Sequence, residues 1–116
     1  MLYIGLMSGT SMDGIDAALV RIERTDIQVI ASHSAAWPDD VSSALRSIAG
    51  DNPVRLSELG RVDALVAEHF AGAALALIDG NRLRPDQIRA IGSHGQSVFH
   101  APDARPAFTI QLGDPS

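Results

Sequence analysis

Cysteine is absent from the 116 residues and so is lysine, since all nine basic residues are arginine. Without cysteine there is no disulfide framework, no thiolate metal site and no cysteine nucleophile. Without lysine a Walker A loop cannot reach the β- and γ-phosphates, so the standard P-loop mechanism is excluded, and lysine Schiff-base chemistry with it. The arginines are scattered singly in a chain of net charge −5. No basic patch exists to release counterions from a nucleic-acid backbone, so nucleic acid is not an expected partner. The longest apolar stretch, Phe70 to Ile78, falls far short of the ~20 residues of a membrane span. No basic n-region leads a signal-length apolar run. A cytoplasmic protein without membrane contact is the expectation. What is there, 46% hydrophobic and 20% charged residues, is ordinary for one globular domain with its own core.

The run Leu2 to Met7 is short, apolar and bounded by Ser-Gly-Thr-Ser, which predicts a buried strand. Gly5 inside it has no side chain to pack and points to close approach by a backbone or a ligand. Apolar patterning resumes over Ile15 to Glu23 and again over Asp26 to Ala31, where Ile27, Val29 and Ala31 share a face. Three strands on short turns predict an antiparallel meander. Pro38-Asp39-Asp40 is a helix start, with Trp37 ahead of it as a hydrophobic staple. Val41, Leu45 and Ile48 follow at helical spacing, and Gly50 is placed to end the helix. A longer helix is predicted from Leu56, Leu59, Val62, Val66, Phe70, Ala73 and Leu77, stopped by Asp79-Gly80-Asn81. Ile88 to Gly92 and Phe108 to Leu112 read as strands. The order β-β-β-α-α-β-β argues for an α/β layer structure. With the chain stopping directly after a strand, a truncated piece whose sheet continues beyond Leu112 is expected.

Ser8-Gly9-Thr10-Ser11-Met12-Asp13-Gly14 is the densest cluster of small polar residues. Consecutive small residues let backbone N–H groups converge on an anion, and hydroxyls add donors. Asp13 and Asp16 would repel bare phosphate but suit a magnesium-bound one. A plain hairpin turn uses the same residues, so composition leaves both readings open. The spacing Gly5, Gly9, Gly14 does not fit the dinucleotide fingerprint.

The segment Gly5-Leu6-Met7-Ser8-Gly9-Thr10-Ser11-Met12-Asp13-Gly14-Ile15-Asp16 resembles the opening signature of the anhydro-N-acetylmuramic acid kinase family. Gly92-Ser93-His94-Gly95-Gln96 and Thr109-Ile110-Gln111-Leu112-Gly113-Asp114 resemble two later signatures, in the right order. The resemblance covers this whole chain but only about the first third of such an enzyme. It implies an incomplete RNase H-like lobe of the sugar-kinase, actin and heat-shock-chaperone superfamily. It also implies ATP with Mg2+ as cofactors, the phosphates being held by Gly9, Thr10, Ser11, Met12, Asp13, Gly14, Ile15 and Asp16. The implied reaction phosphorylates O6 of 1,6-anhydro-N-acetylmuramic acid while water opens the anhydro bridge, as part of cell-wall recycling. Many superfamily members carry an aspartate where Met7 stands, although the kinase family itself lacks it. Asp13, Asp16 and Asp114 all remain candidates to serve the metal. The implied catalytic base and adenosine pocket come later than Ser116, so no catalytic residue is assigned. Partners are then small molecules, with a homodimer of the full-length protein also in view.

His94 follows directly after a strand, where ligands of open α/β sheets sit. His94 and Gln96, flanked by Gly92 and Gly95, could exchange hydrogen bonds with sugar hydroxyls, or His94 could simply bond within its loop. His94 and His100 lack a third ligand for zinc. Ser93 and His94 point to opposite sides of an extended segment and form no nucleophile pair. His69 reads as a boundary residue, His33 as the end of a strand, and the methionines as core or hairpin filler. Two other readings compete with the kinase: a non-catalytic nucleotide- or phosphate-binding module, and an actin-like assembly piece.

Overall fold

Alternation of buried and open positions builds the first hairpin. In the computed structural model, which describes residues 1–9 and 12–115, strand β1 (Leu2–Met7) buries Ile4 and Leu6, and β2 (Gly14–Glu23) buries Ile15, Ala17 and Leu19. β3 (Asp26–Ala36) completes the antiparallel meander. It runs five residues past Ala31, pairing His33 with Ala17 and Ala36 with Gly14. Ile27 and Val29 are exposed on it, beyond the cover of the helices.

Helix α1 (Asp39–Ala49) carries its acids at the dipole's positive end and buries Val41 and Leu45. Helix α2 (Leu56–Gly80) buries Val62, Val66, Phe70, Ala73, Ala74, Leu77 and Ile78 along one stripe. It lies across β1, β2 and β3, and α1 packs beside it. Each large apolar side chain buried there contributes about 1.5–3 kcal/mol relative to exposure. Leu56 at the helix start is exposed instead.

Neither helix uses its glycine as the left-handed stop. Asp51 (φ 59) and Arg82 (φ 56) take that conformation. The N–H of Asn52 reaches the Ser47 carbonyl at 3.3 Å and that of Leu83 reaches Ile78 at 2.9 Å, the six-to-one bond of a Schellman end. Leu83 is then half-buried against the core that includes Ile78.

After a single 3-10 turn, β4 (Ile88–Ser93) pairs parallel with β1, giving a mixed sheet in the order β3-β2-β1-β4. β5 (Gln96–Ala101) was not expected; it pairs antiparallel with β6 (Phe108–Leu112) as a separate two-stranded sheet. β6 therefore does not extend the main sheet, contrary to expectation. Its Leu112, with Val98 and Gln96 of β5, faces the same core. Trp37, expected as a staple for α1, makes its ring contacts with α2. It is buried edge-on against Phe70 and His69 of α2, at 5.8 and 5.5 Å between ring centres. Of the methionines only Met12 is buried, while Met1 and Met7 are exposed. No helix among the described residues is long and apolar enough to cross a membrane.

Candidate functional site

Because β1 and β4 are parallel and adjacent, their carboxyl ends open at the same edge of the sheet. Ser8-Gly9 leaves one and His94-Gly95 leaves the other. The N–H of His94 donates to the Leu6 carbonyl at 3.0 Å, which continues the ladder past Ser93 and sets His94 beside the β1–β2 turn. This is the position beyond strand ends where open α/β sheets take ligands.

The turn closes with the Met12 N–H on the Gly9 carbonyl at 3.2 Å, and Met12 adopts φ 58 with its side chain in the core. Thr10 and Ser11, expected to hold phosphate, lie outside the described residues. Gly14 has no room for a side chain: a Cβ would stand 2.5 Å from the Ala35 carbonyl oxygen. Asp16 is exposed and its Oδ1 accepts from Ser34 Oγ at 2.7 Å. Gly9, Asp13, Gly14, Ile15 and Asp16 line one depression of about 300 Å3 with Ser34. Asp16 and Ser34 also line a larger one, about 740 Å3, which spreads over Gly5 and Gly92 to His94. The turn and His94 thus line two depressions that have Asp16 and Ser34 in common.

The three candidate carboxylates do not lie together. Asp13 and Asp16 share the turn's depression, whereas Asp114 lines a groove between α2 and β4 with Phe70 and Ile91. A phosphate-bound Mg2+ needs only one or two carboxylates from the protein, so Asp13 and Asp16 fit that demand. Among the described residues no three His, Asp or Glu side chains gather to hold a bare ion. His100 hydrogen-bonds Thr109 Oγ1 at 2.7 Å across the β5–β6 pair.

His94 is exposed, with Nδ1 3.5 Å from Gln111 Nε2. Gln96 is wholly buried. Both hydrogens of its amide are engaged, by the carbonyls of Gly9 and Ser97 at 3.1 Å each, and Oε1 meets Ser8 Oγ. It has no donor left for a sugar hydroxyl, so the direct contact expected of it is not available. On the side where a Gly5 Cβ would stand, no described residue lies within 4 Å, so no further segment closes on it there.

Sequence reasoning missed four residues that hold the site. Ser42 Oγ donates to the Met12 carbonyl at 3.0 Å, and the backbone N–H of Trp37 donates to that of Asp13 at 3.0 Å. Ser34 holds Asp16. Asp63 of α2 accepts the Gly113 N–H at 2.6 Å, at a glycine with φ 113. Only the tryptophan carried a signal, and for a different bond: its buried indole needs a partner for its N–H, which is Ser8 Oγ at 3.4 Å. The others are ordinary polar positions on amphipathic elements.

The family model for anhydro-N-acetylmuramic acid kinase matches residues 1–116. The chain is 46% identical over 112 residues to the anhydro-N-acetylmuramic acid kinase of Photobacterium profundum, covering 97% of this chain and 30% of that protein. The kinase of the same name from Xylella fastidiosa is 49% identical over 117 residues, covering 97% and 31%. That from Vibrio cholerae is 42% identical over 113 residues, covering 97% and 30%. The chain therefore spans about 30% of the length of these curated relatives.

Proposed function

The chain belongs to the anhydro-N-acetylmuramic acid kinase family, and on that premise we propose that it carries the ATP-phosphate turn of such a kinase. The reaction proposed consumes ATP and water, places the phosphoryl group on O6 of 1,6-anhydro-N-acetylmuramic acid, and opens the anhydro bridge. N-acetylmuramic acid 6-phosphate and ADP leave, as a step of cell-wall recycling in the cytoplasm. The architecture proposed is part of an RNase H-like lobe.

One observation carries the reading: the glycine turn at the end of β1 and His94 at the end of β4 line two depressions that meet at Asp16 and Ser34. Gly9 to Asp16 would hold the phosphates and His94 the sugar. Phosphoryl transfer rests on positioning and charge stabilisation more than on covalent chemistry by the protein. A turn that offers backbone N–H groups supplies the first, and its glycines allow the close approach. Mg2+ would be held through the phosphates with Asp13 and Asp16, and when bound it neutralises charge on the transferring group. The described residues provide no second wall for the nucleotide, and no base is assigned among them.

The test is ADP release by the full-length kinase that contains this chain, with and without the anhydro sugar. Sugar-dependent turnover is expected. His94→Ala should raise the sugar KM or lower kcat while ATP affinity stays nearly unchanged. ADP release that ignores the sugar would favour the actin-like assembly piece, and no ADP release at all the non-catalytic module; either would overturn the reading.

A further inference from the structure

Of the described carboxylates, Asp16 alone lines both depressions, the turn's with Gly9 and Gly14 and the larger one with His94; Asp13 lines the first only. The sheet fixes its place. β2 lies between β1 and β3, and Asp16 stands opposite Met7 on one side and Ser34 on the other. Directly opposite residues share a face, so the three side chains form a row across the sheet. Met7 offers a thioether, a weak acceptor with no hydrogen to give. Ser34 offers a hydroxyl, and its Oγ donates to Asp16 Oδ1 at 2.7 Å. An ionised carboxylate only accepts, so the direction of that bond is settled.

The backbone under this pair is closely held. Gly14 pairs with Ala36 and Ile15 with Ala35, two strands so near that a Cβ on Gly14 would stand 2.5 Å from the Ala35 carbonyl oxygen. The side chain of Asp16, by contrast, is exposed, and an exposed aspartate samples several rotamers unless something holds it. Ser34 engages one carboxylate oxygen and leaves the other, Oδ2, for a ligand. Partners of this kind orient metal-ligating carboxylates, and losing them weakens metal binding. A pair that served only the sheet could stand anywhere along it. This one stands where the two depressions meet.

We propose that Ser34 is a positioning residue for the metal: by holding Asp16 Oδ1 it presents Oδ2 to a divalent cation carried by the ATP phosphates, where the turn's depression meets that of His94. The inference rests on the proposed kinase reaction, in which the phosphoryl group passes from the turn to a sugar at His94. A carboxylate common to both depressions stands on that route, so of Asp13, Asp16 and Asp114 it is Asp16 that serves the cation. Mg2+ keeps several waters and is held largely by the phosphates, so one well-aimed carboxylate suffices.

The experiment uses the full-length kinase with ADP as the probe, its binding measured by calorimetry in excess Mg2+ and again in EDTA. The ratio of the two affinities is the gain that the cation brings. Ser34→Ala should cut that gain about tenfold, the lower end of what such partners contribute, and leave metal-free ADP affinity within about twofold. Ser34→Thr, which keeps the hydroxyl, should restore it. Asp16→Asn should lose the gain as well, and Ser34→Ala added to Asp16→Asn should cost nothing further, because both act on one carboxylate. In turnover, Ser34→Ala should need about tenfold more Mg2+ for half its maximal rate while the sugar KM holds, a split that a merely structural role would not produce. Should Ser34→Ala fail to fold, Ser34→Thr against Ser34→Val decides, since these differ only in a hydroxyl against a methyl. An equal loss of ADP affinity with and without Mg2+, or a gain untouched by Ser34→Ala, would overturn the role of Ser34 and leave the kinase reading standing. Absence of sugar-dependent turnover in the wild-type enzyme would overturn both.

Discussion

The glycines around the turn and those on the open face of the sheet sit in the same motifs and do opposite things. At Gly14 and Gly95 a Cβ would stand 2.5 and 2.7 Å from a backbone carbonyl oxygen, of Ala35 and Leu112 respectively. At Gly5 and Gly92 nothing lies within 4 Å. The first pair lets two chain segments close on one another, and Gly95 adds a left-handed φ of +70. The second pair keeps a sheet surface bare. Glycine therefore marks either a place where the protein has come too close to itself for a side chain, or a place where it has not come close at all.

Gly14→Ala should show the largest effect. The atom in the way belongs to the backbone of β3, so it cannot rotate aside, and the ends of β2 and β3 would have to part. Overpacking of this kind costs about 3 kcal/mol, a fall in melting temperature on the order of 10 °C for a chain of this size. Thermal unfolding followed by circular dichroism measures it. An unchanged midpoint would mean that β3 yields freely and would erase the distinction.

Gly113→Ala should fall between the two groups. Its φ of +113 strains any side chain, but the nearest obstacle is Val66 Cγ1 at 3.2 Å, a methyl that can give a few tenths of an ångström. The cost expected is about 1–2 kcal/mol, from backbone strain. The same melt checks it, and a loss as large as that of Gly14→Ala would show that Val66 cannot move. The Asp63–Gly113 bond would loosen along with it, and Asp114 sits next in the chain.

Much of this was legible in the sequence. The meander and both helices follow from apolar periods of two and 3.6 residues, and the turn stood out by composition. β5 did not, for a physical reason: of its inward positions only Val98 is apolar, and the other is Gln96. Alternation cannot be seen when a buried position is polar. The tail of β3, Ser32-His33-Ser34, hides in the same way. The helix glycines marked the ends to within two residues, yet Asp51 and Arg82 take the left-handed conformation. In the site, the turn's own residues were readable, but the side chains that hold its backbone were not. Trp37 and Gln96 reach Ser8 from 29 and 88 positions away, and Ser42 reaches Met12 from 30. Proximity of that kind is created by the fold.

Gly5→Ala should show the smallest effect, and its sign is the informative part. The strand interior gains a methyl group, which removes the entropic penalty of glycine, worth roughly 0.5–1 kcal/mol. Its cross-strand neighbours are Ala18 and Gly92, both small, so the new Cβ meets open space. The melting temperature should hold or rise by a few degrees, and the ATP KM should not change, because the turn begins three residues on. A fall of several degrees in the full-length kinase, with none in the 116-residue chain, would show that another segment of the protein closes on this face. In that case Gly5 and Gly92 would belong with Gly14 and Gly95, as glycines of close approach, and the division drawn between the two regions would fail.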